Sequence, residues 1–143
     1  MCRQGASVIL NAVLEAIEDP SLRAYVVWVP VLPADLSAAA QEACSLVPDQ
    51  RASHFWDSEG ALARTFSRVL DLPPGSPAWD VYLAYPPGMR WEQEPPAPPY
   101  WQHQLGALAK APRLDGGVFA EHLRLILTDG REGNSWDRAC DDK

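Results

Sequence analysis

The segment AYVVWVPVL, residues 24–32, constrains the fold more than any other part of the chain. It is a nearly unbroken apolar run of β-branched and aromatic residues. Its lack of alternation predicts a strand covered on both faces, as in a parallel sheet flanked by helices. The segments on either side predict those helices. Residues 5–18 put Val8, Ile9, Ala12, Val13, Ala16 and Ile17 on one helical face, which Leu10 and Leu14 widen. Asp19-Pro20-Ser21 ends that helix, because proline disfavours the helical conformation in the residue before it. After the strand, Asp35 is placed to cap a helix reaching about Val47, with Leu36, Ala39, Ala40, Ala43 and Leu46 inward.

The pattern then repeats. RASHFW supplies a strand around residues 52–56, and Asp57 or Ser58 caps a helix carrying Leu62, Phe66 and Val69 at helical spacing. LPPGSP is a turn, and AWDVYLAY, residues 78–85, is the second strong strand. PPG followed by MRW predicts a turn into a short edge strand, EQEPPAPP an extended surface loop, and PYWQHQLGAL a short helix. Asp115 caps the last helix, whose stripe is Val118, Phe119, His122, Leu123, Ile126 and Leu127. Residues 128–143 lack apolar periodicity and are expected to form a polar, disordered tail to a single domain spanning residues 1–127.

Composition narrows the functional classes. A chain of 143 residues that is 47% hydrophobic can bury the core of one domain. Its formal charge of −7 leaves no basic footprint for nucleic acid or for an anionic membrane surface. No apolar run is long enough to span a bilayer, and no signal segment opens the chain, so a cytoplasmic location is expected. Cys2, Cys44 and Cys140 are too few and too widely spaced for a disulfide scaffold or a paired-cysteine zinc site. His54, His103 and His122 show no metal-ligand spacing, and no cofactor is expected. Cys44 is expected to pack within its helix and His122 to be a partly buried packing residue. Three Trp-Asp pairs, beginning at Trp56, Trp79 and Trp136, lack the common period that a propeller would need.

Helices and strands that alternate and then close on a strand pair predict an α/β fold. This order resembles the thioredoxin-like superfamily, and more closely its peroxiredoxin and thiol-disulfide oxidoreductase branch, over about residues 2–127. The resemblance rests on CRQGASVI, VVWVPVLPADLSAAAQEA, HFWDSEGALARTF and GSPAWDVYLAYPPGMRW in that order. It implies a thioredoxin-like sheet of about four strands, the final pair antiparallel, flanked by helices and shortened at the N-terminus. It also implies that Cys2 is the second cysteine of a Cys-x-x-Cys motif and Pro77 the cis-proline that packs beside it. Ala78 then stands where the family commonly has threonine.

The first cysteine of that motif and the strand expected before it have no counterpart in the sequence. A cysteine opening a helix is placed to be activated as thiolate, but disulfide exchange also needs a resolving thiol. Two functions follow as expectations. The first is a degenerate thioredoxin-like binding module without redox catalysis, a homodimer through exposed sheet edges, with Pro77 and Ala78 at a peptide-binding loop. The alternative is a thiol-disulfide oxidoreductase or peroxidase-like protein that uses Cys2 on a peptide or small thiol.

Overall fold

A computed structural model describes residues 3–32, 37–106 and 108–137, with side chains as far as residue 130. Four α-helices and four strands follow one another as α1 (Arg3–Ile9), β1 (Ala24–Trp28), α2 (Ser37–Cys44), β2 (Ala52–Trp56), α3 (Ala61–Val69), β3 (Val81–Ala84), β4 (Tyr100–His103) and α4 (Gly116–Asp137). The mixed α/β class and the antiparallel final strand pair agree with the sequence. A continuous four-stranded sheet is not formed. β1 and β2 pair in parallel from Ala24↔Ala52 to Trp28↔Trp56, and β3 and β4 pair antiparallel from Val81↔His103 to Ala84↔Tyr100. Among the described residues, no strand pairing joins these two sheets.

The first helix departs from a regular period. α1 continues as a π-helical segment, Leu10–Leu14, in which Glu15 N–H donates to Leu10 O at 2.9 Å. The wider turn rotates the apolar stripe, so Leu14 is buried with Val13 and Ile17 while Ala16 is exposed. α4 then crosses close to this helix. A Cβ on Gly116 would lie 2.5 Å from Ala12 Cβ and 2.9 Å from Val8 Cγ1, so only glycine allows the approach.

Two larger apolar cores result, beside a smaller cluster of Trp28, Ala40 and Ala43. Val13, Leu14, Ile17, Val47, Ala84, Phe119 and Ala120 fill one, against which Ala24, Ala52, Tyr82 and Tyr100 pack. Phe66, Leu70, Leu72, Ala78 and Leu105 form the other, with Val81, Leu83 and Trp101 against it. The β3–β4 hairpin is therefore covered on both faces.

Several sequence expectations need correction. The partner of β3 is Tyr100–His103, which the sequence suggested was part of a short helix, while Met89, Arg90 and Trp91 are exposed and unpaired in any strand. Tyr and Trp suit a half-buried pleated surface, and pairing with β3 outweighs the weak helical pattern. β1 stops at Trp28, before Pro30, which has no N–H to donate to a ladder. α4 runs on to Asp137, past the Leu127 where its apolar stripe ends. Gly130 lies close to Pro87, since a Cβ there would be 2.7 Å from Pro87 Cγ.

Other expectations hold. Asp115 caps α4, its Oδ1 accepting Val118 N–H at 3.0 Å. Asp57 Oδ2 accepts Leu62 N–H at 2.7 Å in the first turn of α3. The proline-rich segment, residues 92–99, is neither helix nor strand and bends at 92–94, and it is held by Tyr85 Oη donating to Pro96 O at 2.8 Å and by an Arg68–Glu94 ion pair at 2.9 Å. Burial pushes the Tyr85 phenol up to about 12. Asp35 lies outside the described residues.

Candidate functional site

Cys2 and Cys140 lie outside the described residues. The first described turn of the chain is Arg3–Ala6, where Arg3 pairs at 3.8 Å with Glu42 of α2, both largely exposed. Gly5 is buried with its Cα against β3, and a Cβ there would fall on Tyr82 Oη and lie 3.4 Å from Asp80 Oδ1. Tyr82 Oη donates in turn to Asp80 Oδ1, and Asp80 is only 4% exposed. A buried carboxylate and a phenol thus sit against the first turn of α1.

The proline loop leads into this group. Pro77 is exposed, and Ser76–Pro77 is trans, since no cis peptide occurs among the described residues. The cis bond implied by the resemblance is therefore corrected. Trans is the ordinary state of an X-Pro bond, and here it leaves Pro77 O accepting Trp79 N–H at 3.0 Å. Ala78 is buried in the second core, its N–H shared between Ser67 Oγ at 3.0 Å and Ala63 O at 3.3 Å. That amide is committed to α3.

Further buried polar groups hold β4 in place. Gln102 is fully buried, donates from Nε2 to Tyr100 Oη at 2.7 Å, and accepts Asp115 N–H at 2.9 Å, which ties β4 to the head of α4. His103, also fully buried, donates from Nε2 to Ala111 O at 3.0 Å, leaving Nδ1 without a hydrogen-bond partner. The sequence did not single out Asp80, Gln102 or His103 as site residues. An aspartate inside the strand pattern AWDVYLAY was the one available signal, because a carboxylate in a buried strand needs a partner.

The other described histidines and Cys44 pack. Trp28 Nε1–H donates to His54 Nδ1 at 3.3 Å with the rings stacked, and His122 stacks on Tyr100 with ring centroids 3.6 Å apart. Cys44 is half-buried beside the Trp28 cluster, its thiol directed at Ala40 O at 3.3 Å. Among the described residues, no three His, Cys, Asp or Glu side chains converge as a metal site.

The second candidate surface is apolar. On β1 and β2, Ala24, Val26, Trp28 and their partners face the helices, and the opposite face carries Tyr25, Val27, Ser53 and Phe55. Tyr25 is 71% exposed and Phe55 52%, with ring centroids 6.4 Å apart. The predicted cover on both faces of AYVVW is thus present on one face only. Beside them lies a hollow of about 340 Å³ bounded by Val27, Leu62 and Trp91 as well as by the two rings. Trp91 stands edge-on to Phe66, at 5.5 Å.

The fold and these surfaces define a mixed α/β chain with one small parallel and one small antiparallel sheet. No family model, curated protein or solved structure matches the chain. No helix among the described residues is long and apolar enough to cross a membrane.

Proposed function

We propose that this chain is a degenerate thioredoxin-like protein that acts by binding rather than by redox catalysis, and that its partner is a second copy of itself, docked through the open side of β1 and β2. The observation that carries the proposal is the bare face of a parallel sheet, with Tyr25 and Phe55 side by side in solvent. Parallel strands are ordinarily covered on both faces, and exposed adjacent aromatic rings gain most from burial against an apolar surface. An isologous dimer covers both copies of the patch at once. A reducing, cytoplasmic setting accords with cysteines too few for a disulfide framework.

Sedimentation velocity across micromolar concentrations tests the proposal. A concentration-dependent dimer is expected, and Phe55→Ser should abolish it without loss of fold. A monomer at every concentration would refute self-association.

A second reading keeps Cys2 as the working thiol of an oxidoreductase or peroxidase-like protein acting on a peptide or small thiol. The observation in its favour is buried Asp80, hydrogen-bonded by Tyr82 against the first turn of the helix that Cys2 precedes. It requires alkylation of Cys2 to be faster than that of free cysteine at neutral pH.

A further inference from the structure

The register of each sheet determines which backbone groups are in use. Ala24 N–H donates to Arg51 O and Trp28 O accepts from Asp57 N–H, so Ala24, Val26 and Trp28 direct their backbone groups to β2. Tyr25 and Val27 direct theirs to the other edge. In β3, Gln104 N–H donates to Asp80 O, which makes Tyr82–Gln102 and Ala84–Tyr100 the bonded pairs of the hairpin. The N–H and C=O groups of Val81 and Leu83 then turn to the edge opposite β4. Among the described residues, no backbone hydrogen bond meets Tyr25, Val27, Val81 or Leu83 on those edges.

The two open edges share the same surroundings. On one face, Gly5 of α1 abuts Tyr82 of β3, and the next residue, Ala6, packs against the Trp28 cluster that includes Val26 of β1. On the other face, the hollow lined by Val27 is also lined by Leu62, which packs against the core holding Val81 and Leu83. Both edges thus lie between one helix and one hollow.

We propose that the edges of β1 and β3 form a slot for one extended segment of a different polypeptide, about five residues long and apolar on both faces. Tyr25, Val27, Val81 and Leu83 supply the ladder groups on its two sides. Its inner side chains meet Ala24, Tyr82 and Ala84 against the first core, and its outer ones enter the hollow between Val27, Leu62 and Trp91. Among the described residues lining that hollow, Asp57 is the only ionisable one besides Tyr25, and its Oδ2 already accepts Leu62 N–H. A charged residue in the middle of the segment would therefore be unpaired, whereas the net charge of −7 favours basic residues at its ends. A slot bounded by a strand on each side admits a single strand and excludes the two-stranded edge that a folded second copy would bring. The slot adjoins the dimer face, because the hollow that takes the segment's outer side chains is also lined by Tyr25 and Phe55, so segment and second copy compete.

The test is amide hydrogen exchange followed by NMR on the full chain, with the capped peptide KVIVVK as probe. The amides of Tyr25, Val27, Val81 and Leu83 are expected to exchange rapidly in the isolated chain and to slow about tenfold or more when the peptide is added. The same peptide N-methylated at every second residue loses one ladder, and is expected to lose that protection. The proposal is overturned if the four amides are already protected without peptide, if the peptide leaves them unchanged, or if the N-methylated peptide protects them equally. Protection that rises with protein concentration alone would also overturn it, because a second copy would then fill the slot. Running the assay below the concentration at which the chain associates separates the two proposals, since the peptide response is then read on the monomer.

Discussion

The two small sheets invert the usual relation between strand direction and cover. Antiparallel hairpins commonly keep one face in water, and parallel strands are commonly buried on both. Here the β3–β4 hairpin is covered on both faces, by Tyr82, Ala84 and Tyr100 in one core and by Val81, Leu83 and Trp101 in the other. The parallel pair β1–β2 has helices on one side and exposed Tyr25 and Phe55 on the other. The hairpin therefore stabilises the fold from within, whereas the parallel pair offers surface that the folded chain does not use.

That contrast predicts very different sensitivities. The largest effect is expected for Ala84→Asp, which places an unpaired carboxylate at a residue 1% exposed. A loss of about 4 kcal/mol in urea denaturation is expected, enough to unfold a marginal domain. A loss below about 1 kcal/mol would mean that the hairpin is not the buried member of the pair. Gly116→Ala comes next. Alanine favours a helix over glycine by about 1 kcal/mol, yet the added methyl would meet Ala12 and Val8, so the net change is expected to be destabilising by about 1–2 kcal/mol. A rise in melting temperature would place α4 farther from α1.

Arg51, just ahead of β2, gives a comparable effect with a pH signature. Its guanidinium donates to Leu14 O and Ile17 O at the end of the first helix, and pairs with Asp49 at 2.6 Å. The Arg51 side chain, donating to the carboxylate, holds Asp49 down at about 2, below its ordinary value of 3.8. A depressed folded-state value contributes stability that is present above pH 3.8 and lost as pH falls toward 2. Arg51→Ala is expected to cost about 2 kcal/mol at neutral pH and to flatten the stability profile in that acid window. An unchanged acid limb would assign the loss to other carboxylates.

The smallest effect on stability belongs to the parallel pair. Tyr25→Ser should shift the unfolding free energy of the monomer by no more than about 0.5 kcal/mol, measured below the concentration at which the chain associates. A loss of several kcal/mol would show that Tyr25 supports the monomer, and would remove the contrast between the two sheets.

Local signals were legible wherever neighbours in sequence decide the structure. Asp115 caps α4, and Asp57 reaches Leu62 N–H from three residues ahead of Gly60, the N-cap of α3, because a carboxylate a few residues ahead of a free amide needs nothing else. β2 and the body of α3 follow from their periodicity. The sequence did not reveal that YWQH is a strand, because four residues of mixed polarity take their state from β3 beside them. The buried Asp80–Tyr82 pair against Gly5 was hidden for a similar reason, since its partners are far apart in the chain.

The sequence by itself determined the α/β class, the order of most elements, the helix caps and the acidic surface. Each depends on spacing of a few residues or on composition. Only the tertiary structure decided that the strands divide into two sheets, that Ser76–Pro77 is trans, and that AYVVW is covered on one side alone. An apolar run shows that burial would be favourable, but not whether the same chain supplies the cover. That depends on where distant helices come to rest, and here α1 and α2 lie on one face while the other keeps its aromatic rings in solvent.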